Sequence, residues 1–419
     1  MTEAAIPAPH GAAPEEAPSR NPFRTATYRW WWAATICGAM GVGIQVVTVP
    51  LFVRDRVSED NRSIVIAAAL MAQAVPAAIL MLFGGVVADR IERRRIITRV
   101  YLIAGIVSVA YVFVTGFNVQ QVWPVFILGA VVGSTDAFGQ PARMSMAPQI
   151  LSRAQLQNGI ILGTVAFMAS FQFLGPTVGG LLADYGNLTV AFSAEVIFLL
   201  LAALIATRIS TDTPVPTGKS VFGDLKDGLS YVKGQPVLLA LLSMQLLPGL
   251  FLIGPFRVTA VLIVQDVLHE PDRFVGFLSG GFGIGVLAGS MALTMLKLNR
   301  RGLILCASPM LGGLIFVAYG LSGNIWLSLA LMVPWGLSAA IFINMVTPLL
   351  QENSSMPMLG RVMSMSSLAF QVATPLGFAH SGVVSKFGGP DVSVIVSGVI
   401  FAAIGVLCVV FLRPVRRLA

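Results

Sequence analysis

The sequence predicts an all-α membrane protein of twelve transmembrane helices, folded as two pseudo-symmetric six-helix bundles. Three observations carry that expectation. Of the 419 residues, 56% are hydrophobic and only 11% are charged, where soluble domains carry roughly 25% charged residues. The apolar residues gather into twelve blocks, each near the about 20 helical residues that cross a hydrocarbon core. A longer polar stretch then separates the sixth block from the seventh.

The blocks run over residues 29–53, 63–87, 96–116, 122–145, 156–184, 190–209, 237–264, 273–296, 302–322, 325–349, 361–386 and 390–413. Lipid supplies no hydrogen-bond partner to the backbone, so each block is expected to be a helix. A transmembrane barrel needs alternating strands of roughly 9–11 residues, which the chain lacks. Residues 1–27 are rich in Ala and Pro without an apolar core, so they read as a disordered cytoplasmic tail rather than a cleavable signal. His10 lies there. The first bundle takes residues 28–210, the second 236–413, and residues 414–419 form a short cytoplasmic tail.

Residues 211–235 link the halves. Pro214, Pro216 and Gly218 open the linker; Val221, Phe222, Leu225, Leu229 and Val232 then share one helical face, away from Asp224, Lys226, Asp227 and Lys233. An amphipathic helix on the cytoplasmic surface is expected, covering the underside of the bundle rather than regulating it. The halves also echo each other. Gly175, Gly180 and Gly186 recur 202 residues later as Gly377, Gly382 and Gly388.

The net charge of +8 reports topology rather than a nucleic-acid partner. With both termini cytoplasmic, 21 of the 27 basic residues fall on the inner side, as the retention of Lys and Arg there requires. The other six are Arg54, Arg56, Arg62, Arg257, Arg273 and Lys386. Cys37, Cys306 and Cys408 lie singly in apolar blocks, which suits packing and not metal ligation. No metal or other cofactor is expected. Neither a nucleophile–base pair nor a phosphate-binding Gly loop stands out, so an enzyme is disfavoured.

Between the second and third blocks the chain reads Gly85-Val86-Val87-Ala88-Asp89-Arg90-Ile91-Glu92-Arg93-Arg94. This resembles the loop Gly-x-Leu-Ala-Asp-Arg-x-Gly-Arg-Arg of the major facilitator superfamily (MFS), with Val87 for Leu and Glu92 for the second Gly. Asp136-Ala137-Phe138-Gly139-Gln140-Pro141-Ala142-Arg143, Gly175-Pro176-Thr177-Val178-Gly179-Gly180 and Gly360-Arg361-Val362-Met363-Ser364 resemble the enterobactin-exporter and macrolide-efflux branch. That resemblance implies a bacterial inner-membrane secondary transporter, acting as a monomer by alternating access. It implies export of an amphiphilic small molecule, a drug or a siderophore, with proton antiport as one mode of coupling. An uncoupled facilitator or importer, and a receptor that keeps the fold without moving solute, stand as alternatives.

The resemblance also assigns gating roles. Asp89 would meet the start of the eleventh helix near Arg361 when the inner gate shuts, with Gly85, Arg90, Arg93 and Arg94 holding the loop. The rival reading makes the arginines topology determinants only. Gly175, Pro176, Gly179 and Gly180 would bend the fifth helix and let a neighbour approach. Candidate substrate contacts are the membrane-depth polar side chains Gln45, Gln140, Gln172, Gln245, Arg257, Asn344 and Gln371. For Arg257, snorkelling or a pairing with Glu195 competes with anion binding. Glu195 and His380 read as packed structural groups. The first helix carries Val42 where many relatives carry Asp, so coupling either moves to Asp136 or Glu195, with Asp136 the expected carrier, or is absent. A structural ion pair between Asp136 and Arg143, at i+7, is the competing reading.

Overall fold

The computed structural model describes residues 20–210, 228–296, 299–416 and 418, with side chains of 82–90 excepted. Its long helices are α1 (Ala26–Arg54), α2 (Arg62–Arg90), α3 (Arg93–Gly116), α4 (Trp123–Met144), α5 (Arg153–Tyr185) and α6 (Leu188–Ala206). After the linker come α7 (Pro236–Val267), α8 (Arg273–Met295), α9 (Arg301–Gly320), α10 (Ile325–Glu352), α11 (Leu359–Gly388) and α12 (Pro390–Phe411). No strand occurs among the described residues. Eleven of these helices are apolar enough to cross a membrane; α4, with Asp136, Gln140 and Arg143 in its last turns, is the exception. Ile106, Ile127, Ile197, Leu204, Leu314, Val406 and Val410 are exposed on helix surfaces, as lipid-facing residues should be.

Both bundles repeat one packing scheme. Helix α2 lies on α4 and α8 on α10; α3 lies on α6 and α9 on α12. The glycine echo has a structural meaning in each case. A Cβ on Gly175 would lie 2.7 Å from Gly43 Cα of α1, and one on Gly377 would lie 3.1 Å from Gly254 Cα of α7. Gly186 faces Val190, and Gly388 faces Val392. One residue further on, Asn187 (φ 146°) and Gly389 (φ 96°) turn the chain into α6 and α12. Only Gly, and at some cost Asn, adopts such a backbone readily.

Prolines shape the two helices that cross the centre. Pro176 cannot donate to Gln172 O, nor Pro255 to Phe251 O. In both places the helix widens into a π segment just upstream, Ala169–Leu174 in α5 and Gly249–Ile253 in α7. Such segments re-aim side chains and occur often at functional sites.

The termini share one face, called here the terminal face; the opposite one is the distal face. Toward the distal face a single apolar core spans both bundles, joining Phe52, Ile66 and Phe192 to Val261, Phe274 and Phe378. Toward the terminal face there are two separate cores. One holds Tyr28, Ile97 and Ala203, the other Leu238, Leu349 and Val362. Among the described residues, the bundles therefore share one core at the distal end and keep separate cores at the terminal end. Two seams make the closure. Helix α5 meets α8, where a Cβ on Gly180 would lie 2.9 Å from Gly276 N. Helix α11 meets α2, where Ser63 Oγ donates to Gly382 O at 3.1 Å. Gly180 and Gly382 are again echo partners. Beyond the seam, the terminal-side half of α5 exposes Ile160, Ile161, Leu162 and Val165.

Gly179 and Gly180 thus do different work. Gly179 packs on Ile44 of α1 inside its own bundle, while Gly180 packs on the other bundle. Residues 228–233 of the linker are described and helical, and Val232 is buried in the second bundle's terminal core. The rest of the proposed amphipathic helix lies outside the described residues.

A side chain at Gly180 should wedge the distal seam open. In a variant whose three cysteines are replaced, Gly180→Leu should speed labelling of Ser63→Cys by a membrane-impermeant thiol reagent about tenfold, a factor equivalent to about 1.4 kcal/mol. Gly323→Ala, with nothing within 4 Å of its Cβ, should leave labelling unchanged. Equal rates in all three proteins would show that the seam does not gate access.

Candidate functional site at the bundle interface

The predicted polar contacts separate into two groups. Gln245 Nε2 donates to Ser366 Oγ at 2.7 Å, tying α7 to α11. Asn344 Nδ2 donates to Ser290 Oγ at 2.9 Å, tying α10 to α8. These are helix–helix bonds, each worth about 0.6 kcal/mol in membrane interiors. Gln140, Gln172, Arg257 and Gln371 are partly buried and have no hydrogen-bond partner among the described residues. Their donors remain free for something else.

Gln45 is fully enclosed and serves a third purpose. Its Nε2 donates to Glu195 Oε1 at 3.0 Å, and its Oε1 accepts from Gln73 Nε2 at 3.4 Å. Glu195 has no exposed surface. It stands eight residues into α6 from the distal end, toward α1 and α3 rather than at the bundle's periphery. Ser108 Oγ of α3 lies 2.6 Å from Glu195 Oε1 and 2.9 Å from Ala104 O. Glu195 Oε2 has no partner among the described residues.

Asp136 has a different setting. Arg143 Nη2 donates to its Oδ1 at 2.6 Å, and the carboxylate is 47% exposed. The Arg143 guanidinium lies 5.9 Å from the Tyr101 ring centroid. This geometry favours the structural ion pair over a proton carrier. Arg257 does not pair with Glu195 among the described residues. Its guanidinium lies 5.5 Å from the ring centroid of Phe171, in the π segment of the opposite bundle's α5. His380 packs edge-on against Phe251 at 5.9 Å, as expected of a packed histidine.

Of the loop between α2 and α3, Gly85, Asp89 and Arg90 lie outside the described side chains. Arg94 Nε and Arg95 Nε each sit 2.8 Å from the Glu92 carboxylate, so the residue that departs from the family pattern gathers two of the loop's arginines. Arg93 Nε is buried without a hydrogen-bond partner among the described residues. Arg361 Nη1 lies 3.3 Å from Met358 Sδ, and the linker residue Gly228 packs against Arg361.

The distal closure carries a charge cluster that sequence reasoning missed. Arg54 Nη2 and Arg62 Nη1 of the first bundle lie 2.7 and 2.9 Å from Asp266 Oδ1 of the second. Arg273 Nη1 lies 2.8 Å from Asp184 Oδ2, alongside the α5–α8 seam. Lys386 donates to Asn61 at 3.1 Å. The signal was present: these four cations are among the six that break the charge bias. A cation on the side that repels it needs a local partner.

Asp272, just before α8, is held by Gln265 and sits within this cluster. Burial first, then the Asp55 and Asp184 carboxylates, push its carboxyl up to about 6, against an opposing pull from Arg54. The ionised form is the disfavoured one in the closed arrangement. Closure is therefore strengthened as pH falls through about 6, fully so below the ordinary value of 3.8, and the gain is lost as pH rises through 6. Distal labelling of Ser63→Cys, normalised at each pH to that of an exposed Gly323→Cys to remove the thiol's own ionisation, should slow when pH drops from about 7 to about 5, and Asp272→Asn should flatten that response. An unchanged pH response in Asp272→Asn would remove this residue from the closure.

Comparison with known proteins agrees with this architecture. The chain is 22% identical over 342 residues to macrolide efflux protein A of Streptococcus pyogenes, covering 80% of this chain and 84% of that one. It is 24% identical over 347 residues to the enterobactin exporter EntS of Shigella flexneri, covering 80% of each. The nucleoside transporter NupG superposes with a TM-score of 0.72 at 13% identity, over 93% of this chain and 99% of its own. A D-xylose-proton symporter superposes with a TM-score of 0.72 at 14% identity, over 93% and 97%. The family model for transmembrane secretion effectors matches residues 17–418. A match of that extent, on a twelve-helix, two-bundle fold, shows that the chain belongs to the transmembrane secretion effector family of major facilitator superfamily transporters.

Proposed function

We propose that this protein exports an amphiphilic small molecule across the bacterial inner membrane by alternating access, with both termini cytoplasmic. The observation that carries the reading is the split core: one apolar core joins the bundles distally, and two separate cores stand apart at the terminal end. With the basic residues retained on the terminal face, this is the conformation that receives substrate from the cytoplasm. The named exporters among its relatives support that direction. In the opposite state, Gly85, Asp89 and Arg90, with Arg93, Arg94 and Arg361, would form the gate that then closes, a reading supported by the resemblance of their loop to the superfamily pattern.

Proton antiport is the favoured coupling, with Glu195 rather than Asp136 as its carrier. An ionisable group at membrane depth is costly and marks function by default. Glu195 meets only neutral donors, Gln45 and Ser108, whereas Asp136 is neutralised by Arg143. Gln45 belongs to α1, a helix that also packs on α5 and α7. Rearrangement of α1 during the cycle would therefore change what holds the Glu195 proton.

In everted vesicles, Glu195→Gln should abolish pH-gradient-driven accumulation of a fluorescent amphiphile while sparing exchange without a gradient. Asp136→Asn, corrected for expression, should keep gradient-driven transport within about threefold, the scale of a sub-kcal/mol effect. Wild-type gradient-driven transport by Glu195→Gln would refute the carrier assignment and favour an uncoupled facilitator. Specific binding without flux in every protein would favour a receptor.

A further inference from the structure

We infer that the central site recognises an oxyanion group on an aromatic or otherwise apolar body, with Arg257 as the anion-binding residue. This rests on the transporter reading and adds the class of substrate to it. Arg257 lies in α7, two residues after Pro255, past the helix's widened segment. It belongs to the six cations that break the charge bias, and the other five are all partnered. Arg54 and Arg62 hold Asp266, Arg273 holds Asp184, and Lys386 holds Asn61. Arg56 donates to Val119 O at 2.8 Å and stacks on Phe52 at 3.8 Å.

Arg257 alone of these lacks a hydrogen-bond or ion-pair partner among the described residues. A guanidinium at membrane depth is costly, so it is kept there for a counter-charge or a pathway. Glu195, the membrane-depth acid that competes for it, is occupied by Gln45 and Ser108. The ring of Phe171, 5.5 Å away, offsets part of the cost through its π face. It leaves the guanidinium's five N–H donors unsatisfied.

Those donors form a planar fork that matches a carboxylate, sulfonate or phosphate in two parallel bonds. The surroundings describe the remainder of the ligand. Phe167 stacks on Phe171 with centroids 5.5 Å apart and planes 16° apart, giving a flat apolar wall beside the cation. Gln172, next to Phe171, and Gln371 of α11 offer uncharged donors and acceptors without protein partners among the described residues. The site lies between bundles that part toward the terminal face. An anion bound there would satisfy Arg257 while its apolar body lies along the Phe171 wall.

The test compares dansyl-glycine, its neutral amide and cationic dansylcadaverine, which share one fluorophore and differ in charge. Binding to the full-length protein in nanodiscs is read by dansyl fluorescence. The carboxylate should bind at least about tenfold tighter than its amide, the low end for a charge-assisted pair. Arg257→Gln should bring the two together, and Arg257→Lys should keep most of the preference. Equal binding of carboxylate and amide by the wild-type protein would overturn the inference, as would an undiminished preference in Arg257→Gln. Vesicle flux separates this from the transporter reading. Transport of the amide or the cation without anion preference leaves transport standing and sinks the anion site. Anion-selective binding with no flux supports the site and sinks transport.

Discussion

The structure depends on backbones of the two bundles approaching within van der Waals distance at the distal end. Gly180 lies against Gly276, and Gly382 lies against Ser63 and Ala67. Between membrane helices there is little hydrophobic driving force, because lipid tails are as apolar as leucine. Association must come from close packing and polar bonds, and close packing needs residues without side chains. The same seams have to separate in another part of the cycle. Small contacts held by dispersion and one hydrogen bond suit that requirement better than interlocked large side chains would.

Charge completes the closure and sets its direction. In the distal cluster Arg54 and Arg62 of the first bundle hold Asp266 of the second, and Arg273 of the second holds Asp184 of the first, so these ion pairs exist only while the bundles are together. Partly exposed pairs of this kind contribute modestly, about 0–1 kcal/mol each. That scale suits a gate that must open on every cycle. Asp272, raised first by burial and then by its acidic neighbours, makes the closure sensitive to pH on the distal side. Arg257 stands outside this arrangement: it is at membrane depth, at the bundle interface and without a protein acid.

Much of the fold was legible in the sequence because the bilayer leaves few choices. A chain with twelve long apolar blocks has one way to satisfy its backbone, and the bias of Lys and Arg orders the loops. The repeat was legible too, and the structure gives it content. Gly175 and Gly377 pack on the pseudo-equivalent helices α1 and α7, while Gly180 and Gly382 form the two seams between bundles. The site was less legible. Spacing along a helix tells which face a side chain occupies, but not which neighbour covers that face. Gln45, Gln245 and Asn344 looked like Gln172 and Gln371 in sequence, yet the first three are bonded to other helices.

The sequence by itself determined the helix count, the two halves, the family and the places where the helices bend, since these follow from hydrophobicity, charge bias, glycine and proline acting locally. Only the tertiary structure decided which buried groups are partnered. Glu195 and Asp136 are both membrane-depth acids, but Asp136 has Arg143 at i+7 on its own helix, whereas no charged residue stands near Glu195 in the sequence. Three-dimensional packing then brings the neutral donors Gln45 and Ser108, from two other helices, onto Glu195. It likewise sets an acid beside Arg54 and an aromatic ring beside Arg257. The cost of a charge in a membrane depends on what lies within a few ångströms of it, and residues far apart in the chain supply those neighbours: Gln45 stands 150 positions from Glu195, and Asp266 stands 212 from Arg54.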